Sequence, residues 1–127
     1  MKPGETGLKR IIHAFGYTVK GIQAAWRHEA AFRQEAALAI LLTPLAFLVG
    51  DTPLEWALLL FVNFACLAVE MLNSGIEAVV DRVSDERHPL SGQAKDMGSA
   101  AVFFVLSGAG LVWLILLLDR IQTLNLS

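Results

Sequence analysis

The stretch EMLNSGIEAVVDR, residues 70–82, places Glu70, Asn73, Ser74, Glu77 and Asp81 at intervals of three and four. At about 100° per residue these fall within one helical sector of about 100°, while Leu72, Ile76, Val79 and Val80 point elsewhere. A helix built this way carries carboxylates on one side and hydrocarbon on the rest. A carboxylate can take a proton from a hydroxyl. Carboxylates without Cys or paired His can also hold a hard cation such as Mg2+, whose shell is completed by water and substrate phosphates. Glu29 is a further acidic group, and its other reading is an i,i+4 ion pair with Arg33. Lys95, next to Asp96, can hold a phosphate as a point charge or serve as a snorkelling membrane anchor. HEAAF (28–32) lacks the second His of a zinc-protease helix, and His13 and His88 have no ligand spacing. No phosphate-binding loop of a soluble nucleotide fold occurs, and no basic block points to nucleic acid.

The elements that must position these groups belong to a membrane. The chain has 127 residues, 55% hydrophobic and 17% charged, enough for one domain. MGSAAVFFVLSGAGLVWLILLL (97–118) has no charge and is long enough to cross a bilayer. Residues 36–50 and 56–69 are two further uncharged runs, each short for a hydrocarbon core of ~30 Å, so polar flanks are drawn to the membrane boundary. Over 7–28, Leu8, Ile12, Phe15, Val19, Ile22 and Trp26 form one apolar stripe with Lys9, Arg10, His13 and Lys20 largely off it, the pattern of a surface helix. The spans are expected at about 32–50, with Pro44 as a kink site, 53–84 and 92–118. GDTP (50–53) is a tight turn with Asp51 or Thr52 as N-cap, SDERHPLSG (84–92) is a loop, and Ser91 is the expected N-cap of the last helix. Cys66 is the lone cysteine, so no internal disulfide forms. SGAG (107–110) supplies small residues for helix approach within a span.

Six Lys/Arg lie in residues 1–35 and three in 70–96, none in 51–55, and only Arg120 in the tail. The positive-inside rule then puts the N-terminus and the 70–96 segment in the cytoplasm and the C-terminus outside. The fold class expected is an all-α membrane protein: an amphipathic N-terminal surface helix plus three transmembrane helices.

GYTVKGIQAAWRHEAAFRQE (16–35), EMLNSGIEAVVDR (70–82) and LSGQAKDMGSAAV (90–102) resemble the small bacterial integral-membrane diacylglycerol kinases. The resemblance spans about residues 6–118, with Gly75 a mild departure where Ala is usual and a weak match around 44–58. It implies a homotrimeric bundle in the bacterial inner membrane with active sites between subunits. It also implies transfer of the ATP γ-phosphate to diacylglycerol, giving phosphatidic acid. By resemblance Glu70 is the general base and Asn73 orients it, while Glu29 and Glu77 hold Mg2+ on the nucleotide. Arg10, Tyr17, Glu86, His88, Lys95 and Asp96, with Glu29 and Glu77, match positions near ATP. Arg10, Trp26, Phe32, Arg33, Gln34, Glu35, Glu70, Ser99 and Trp113 match lipid-side positions. Two alternatives stay open: a relative that phosphorylates undecaprenol, and a non-enzymatic ion or proton carrier with Glu70 in its path.

Overall fold

Backbone in hydrocarbon must satisfy its own hydrogen bonds, so a chain this apolar resolves into helices joined by short turns. The computed structural model describes Gly4 and residues 6–126. Among them it has α1 (Gly7–His28), α2 (Ala30–Val49), α3 (Pro53–Val83) and α4 (Pro89–Leu126), and no strand. Helices α2, α3 and α4 are each long and apolar enough to cross a membrane. The α3–α4 pairing is the most extensive, α2 packs mainly on α3, and α1 touches α2 more lightly.

The packing is inverted relative to a soluble protein. Phe61, Phe64, Phe103 and Phe104 face outward, whereas Asn63, Glu70, Asn73 and Ser74 are buried. The outer solvent of such a bundle is lipid, so apolar side chains lose nothing by facing it, and polar groups turn inward. The stripe on α1 (Leu8, Ile12, Phe15, Val19, Ile22, Trp26) is likewise exposed rather than packed on the other helices.

Local chemistry sets the turns. Thr52 is the N-cap of α3: its hydroxyl accepts from Glu55 N, and Glu55 Oε2 accepts from the backbone N–H of Asp51 and Thr52, both at 2.8 Å. This capping box, with Pro53 in the first turn, fixes where α3 starts. Trp56 Nε1 donates to Gly50 O at 2.8 Å, and Arg120 Nη1 meets Asp51 Oδ1 at 2.7 Å, tying the α2–α3 turn to α4. Helix α2 remains helical through Pro44.

Helix α4 departs from the expected 92–118 at both ends. Pro89 opens it and His88, not Ser91, caps it: His88 Nδ1 accepts from Leu90 N at 3.1 Å, and Ser91 lies inside the first turn. At the other end the helix continues to Leu126, because residues 119–126 contain no breaker and loss of hydropathy alone does not stop backbone hydrogen bonding. Thr123 Oγ1 even donates to Asp119 O within this extension.

Two glycines bring out how tight the site end is. A Cβ on Gly98 of α4 would collide with Asn73 Oδ1 of α3, with Asn73 Cγ only 3.3 Å away. A Cβ on Gly75 would meet nothing within 4 Å. Gly98→Ala is therefore expected to destabilise by about 1–3 kcal/mol. Gly75→Ala, which only removes backbone freedom from a helix interior, is expected to stabilise by about 0.5–1 kcal/mol. Thermal unfolding of both variants in the same detergent checks the pair, and shifts of equal sign would contradict it.

Candidate functional site

The polar stripe of α3 is graded in depth. Glu70 is only 4% exposed, Asn73 and Ser74 are buried beside it, Glu77 is half-buried, and Asp81 is exposed. Seven residues are about two helical turns, so Glu70 and Glu77 share a face about 10 Å apart. Glu70 sits in the electrostatic field of Glu77 and, more weakly, of Glu29. Asn73 stands one turn beyond Glu70, pressed on Gly98 with its Oδ1 buried and unpartnered among the described residues.

Glu29 owes its place to a break in the chain. It is the residue between α1 and α2, with extended backbone (φ −120°, ψ 103°), its N–H bonded to Ala25 O and its C=O accepting from Arg33 N. Arg33 does not pair with it. The guanidinium turns back to cap α1, donating to Trp26 O at 2.7 Å and Arg27 O at 3.4 Å. The i,i+4 ion-pair reading of Glu29 thus fails, because that geometry needs an unbroken helix from 29 to 33. The half-buried Glu29 instead lines a cavity of about 350 Å³ between α1 and α3, with Ala25, His28, Met71, Ser74 and Gly75.

A second cleft, about 630 Å³, opens where α3 meets α4. Glu86 and His88 from the loop, Asp81 from α3 and Lys95 from α4 line it. Lys95 Nζ lies 2.7 Å from Asp81 Oδ1, so the lysine bridges two helices rather than snorkelling alone. Asp96 is the next residue and is exposed. A third cavity, about 290 Å³, lies within the apolar part of the bundle and brings together Glu35, Asn63, Cys66 and Trp113.

The expected site residues thus separate into groups. Glu29, Glu70, Asn73 and Glu77 gather at the α1–α3 end, and Glu86, His88 and Lys95 at the loop cleft. Glu35 and Trp113 sit deeper, and Phe32 is buried near the start of α2. Arg10, Tyr17, Trp26, Gln34 and Ser99 are exposed and line none of these three cavities. Two residues went unassigned from sequence. Asp81 was visible at i+4 from Glu77 but had no partner until α4 was placed, and Asn63 stood alone in an apolar run.

Three helices long and apolar enough to cross a membrane, packed around an inward-facing acidic stripe, define a polytopic membrane protein. The sequence profile of the prokaryotic diacylglycerol kinases matches residues 16–117. A diacylglycerol kinase of Pseudomonas aeruginosa is 55% identical over 115 residues, covering 91% of this chain and 94% of its own. Those of Escherichia coli K12 (48% over 117 residues, 92% and 96%) and Haemophilus influenzae (46% over 108 residues, 85% and 92%) are similar along nearly their whole length. The chain belongs to the prokaryotic diacylglycerol kinase family.

The Lys95–Asp81 pair is open to solvent, and such exposed pairs add little to stability, so the ammonium can exchange its partner at little cost. Lys95→Met is expected to weaken nucleotide binding roughly tenfold, the scale of one charged hydrogen bond, and to leave the melting temperature almost unchanged. Equilibrium titration with a fluorescent ATP analogue measures this, and an unaltered affinity would remove Lys95 from the phosphate site.

Proposed function

We propose that this chain transfers the γ-phosphate of ATP to the free hydroxyl of diacylglycerol, giving phosphatidic acid, at the cytoplasmic face of the bacterial inner membrane. The observation that carries the reading is the graded stripe on α3, whose innermost carboxylate, Glu70, is buried next to the apolar half of the helix, the level expected for the membrane boundary. A lipid hydroxyl lies at that depth and a nucleotide cannot go deeper. The names of the proteobacterial relatives favour diacylglycerol over undecaprenol as acceptor.

The nucleotide occupies the side of Glu86, His88, Lys95 and Asp96, with Lys95 exchanging Asp81 for a phosphate oxygen. Among the described residues no group of three or more His, Cys, Asp or Glu is arranged to hold an ion. Glu29 and Glu77 offer two oxygen-donor groups on the field-coupled side of Glu70, which suits Mg2+, since it binds through one or two carboxylates and fills its shell with water and phosphates. When bound, Mg2+ would neutralise charge developing on the transferred phosphoryl group. Glu70 takes the proton as the lipid oxygen bonds to the γ-phosphorus and the bond to the β-phosphate oxygen breaks, leaving ADP. Asn73, held one turn away by Gly98, fixes the approach of that carboxylate.

Arg10 and Tyr17 lie outside the three cavities, which fits a site completed by a second copy in a homotrimer. The exposed stripe of α1 fits a helix resting on the cytoplasmic membrane surface, with the lysine and arginine distribution placing the C-terminus in the periplasm.

Two outcomes check this account. Glu70→Gln is expected to fold and bind ATP but to lose at least ~10²–10⁴-fold in turnover, the usual worth of a positioned base. Nucleotide binding and turnover on one purified sample decide it: full binding with turnover within a few-fold of wild type would exclude Glu70. Glu29→Gln and Glu77→Gln are each expected to raise the Mg2+ concentration needed for half-maximal rate, and unchanged Mg2+ titrations in both would dismiss the metal assignment.

A further inference from the structure

The cavity between α2, α3 and α4 holds a polar group that the reaction as described leaves without a task. Asn63 is only 8% exposed, yet its Nδ2 has no partner among the described residues. Its orientation is defined. Trp113 Nε1 lies 3.1 Å from Asn63 Oδ1, and an indole can only donate, so the amide oxygen is engaged and both hydrogens of Nδ2 are left over. Asn63 lines the 290 Å³ cavity with Leu38, Leu42, Leu106 and Glu35. An unmet buried donor carries its full desolvation cost unless something fills its place.

Asn63 also stands in register with the reactive stripe. It precedes Glu70 by seven residues, hence on the same face of α3 and about 10 Å nearer the bilayer centre. Its wall is mostly apolar, and Glu35, whose Oε2 is likewise buried without a partner among the described residues, shares it with Asn63. Glu35, at its site end, lies in the field of Glu70, and the aliphatic residues continue inward from it.

The geometry points to Asn63 as a positioning residue for the lipid: its Nδ2 donates to an ester carbonyl of an acylglycerol whose free hydroxyl is at Glu70. This rests on the kinase reading above and adds what selects the acceptor. A glycerol unit with a hydrogen bond at either end bridges the distance from Glu70 to Asn63, and the acyl chains run along Leu38, Leu42 and Leu106. The carbonyl supplies the acceptor that Nδ2 lacks. A lipid alcohol without esters leaves Nδ2 unmet, and a site built around a hydrogen bond rejects an analogue that cannot make it. Trp113 acts through Asn63, holding the amide so that its donor faces the cavity.

The test compares a diacylglycerol with the dialkyl ether of the same chain length, in mixed micelles at saturating Mg-ATP. Wild-type kcat/KM is expected to favour the diester roughly five- to tenfold, the scale of one neutral hydrogen bond. Asn63→Leu, which fills the site without a donor, is expected to bring the diester/ether ratio to about one, with the KM for ATP, from a separate ATP titration, unchanged. Asn63→Ala, which opens the site instead, is expected to do the same, separating the lost donor from a change of volume. A wild type that does not distinguish the two lipids, or a ratio preserved in both variants, overturns the inference and leaves the cavity as a slot for bulk acyl chain. Failure of the wild type to phosphorylate either glycerolipid would instead overturn the kinase reading, and the inference with it.

Discussion

Glu70 is a carboxylate buried on a helix apolar enough to cross a membrane, and much of the architecture follows from keeping it out of hydrocarbon. A carboxylate at the bilayer boundary is tolerated only on an inward face, so α3 has to run with its polar side in and its apolar side out. An inward polar face then needs neighbours that come close, or it would leave a void. Gly98 provides the approach on one side, where α4 lies directly on Asn73. On the other side the chain break at Glu29 lets α1 swing off the axis of α2 and bring a further carboxylate to the same end. The polar groups at this end therefore come from several elements, held together by the need to keep one buried carboxylate on an inward face.

Much of this was legible in the residues themselves. The stripe of α1 and the limits of α3 are local matters: an apolar repeat of three and four, a Thr-Pro start with Glu three residues after the cap, and a polar loop beyond Val83. The inward direction of Glu70, Asn73 and Glu77 follows from their spacing together with the cost of the alternative. Where sequence reasoning went astray, it applied a local rule across a tertiary feature. The Glu29–Arg33 pairing assumed a continuous helix. The end of α4 was set by hydropathy, which reports the membrane and not the helix. The expected cap at Ser91 rests on the general preference for Ser, whereas Pro89 opens the helix and His88 caps it.

Other relations cannot be read along a chain at all. Lys95 and Asp81 are 14 residues apart, and Trp113 and Asn63 are 50 apart. Nothing in local pattern joins them, and both pairs exist only because α4 returns antiparallel along α3. A single Asn in LLLFVNFACLAVE reads as an incidental polar residue until the indole that holds it is found on another helix. The seven-residue relation to Glu70 was present all along, but it acquires meaning only with a cavity on that face.

The turn between α2 and α3 carries a mechanical consequence. Thr52, Glu55, Trp56, Asp51 and Arg120 knit three helices together at the end remote from the carboxylates. Fixed at that end, the bundle behaves as levers on a common fulcrum. A relative tilt of about 5° changes almost nothing at the fulcrum but displaces the far end of a 20-residue helix, about 30 Å long, by roughly 2.5 Å. A small relative tilt is thereby converted into a larger displacement at the end that carries Glu70 and Glu77 than at the turn that joins the helices.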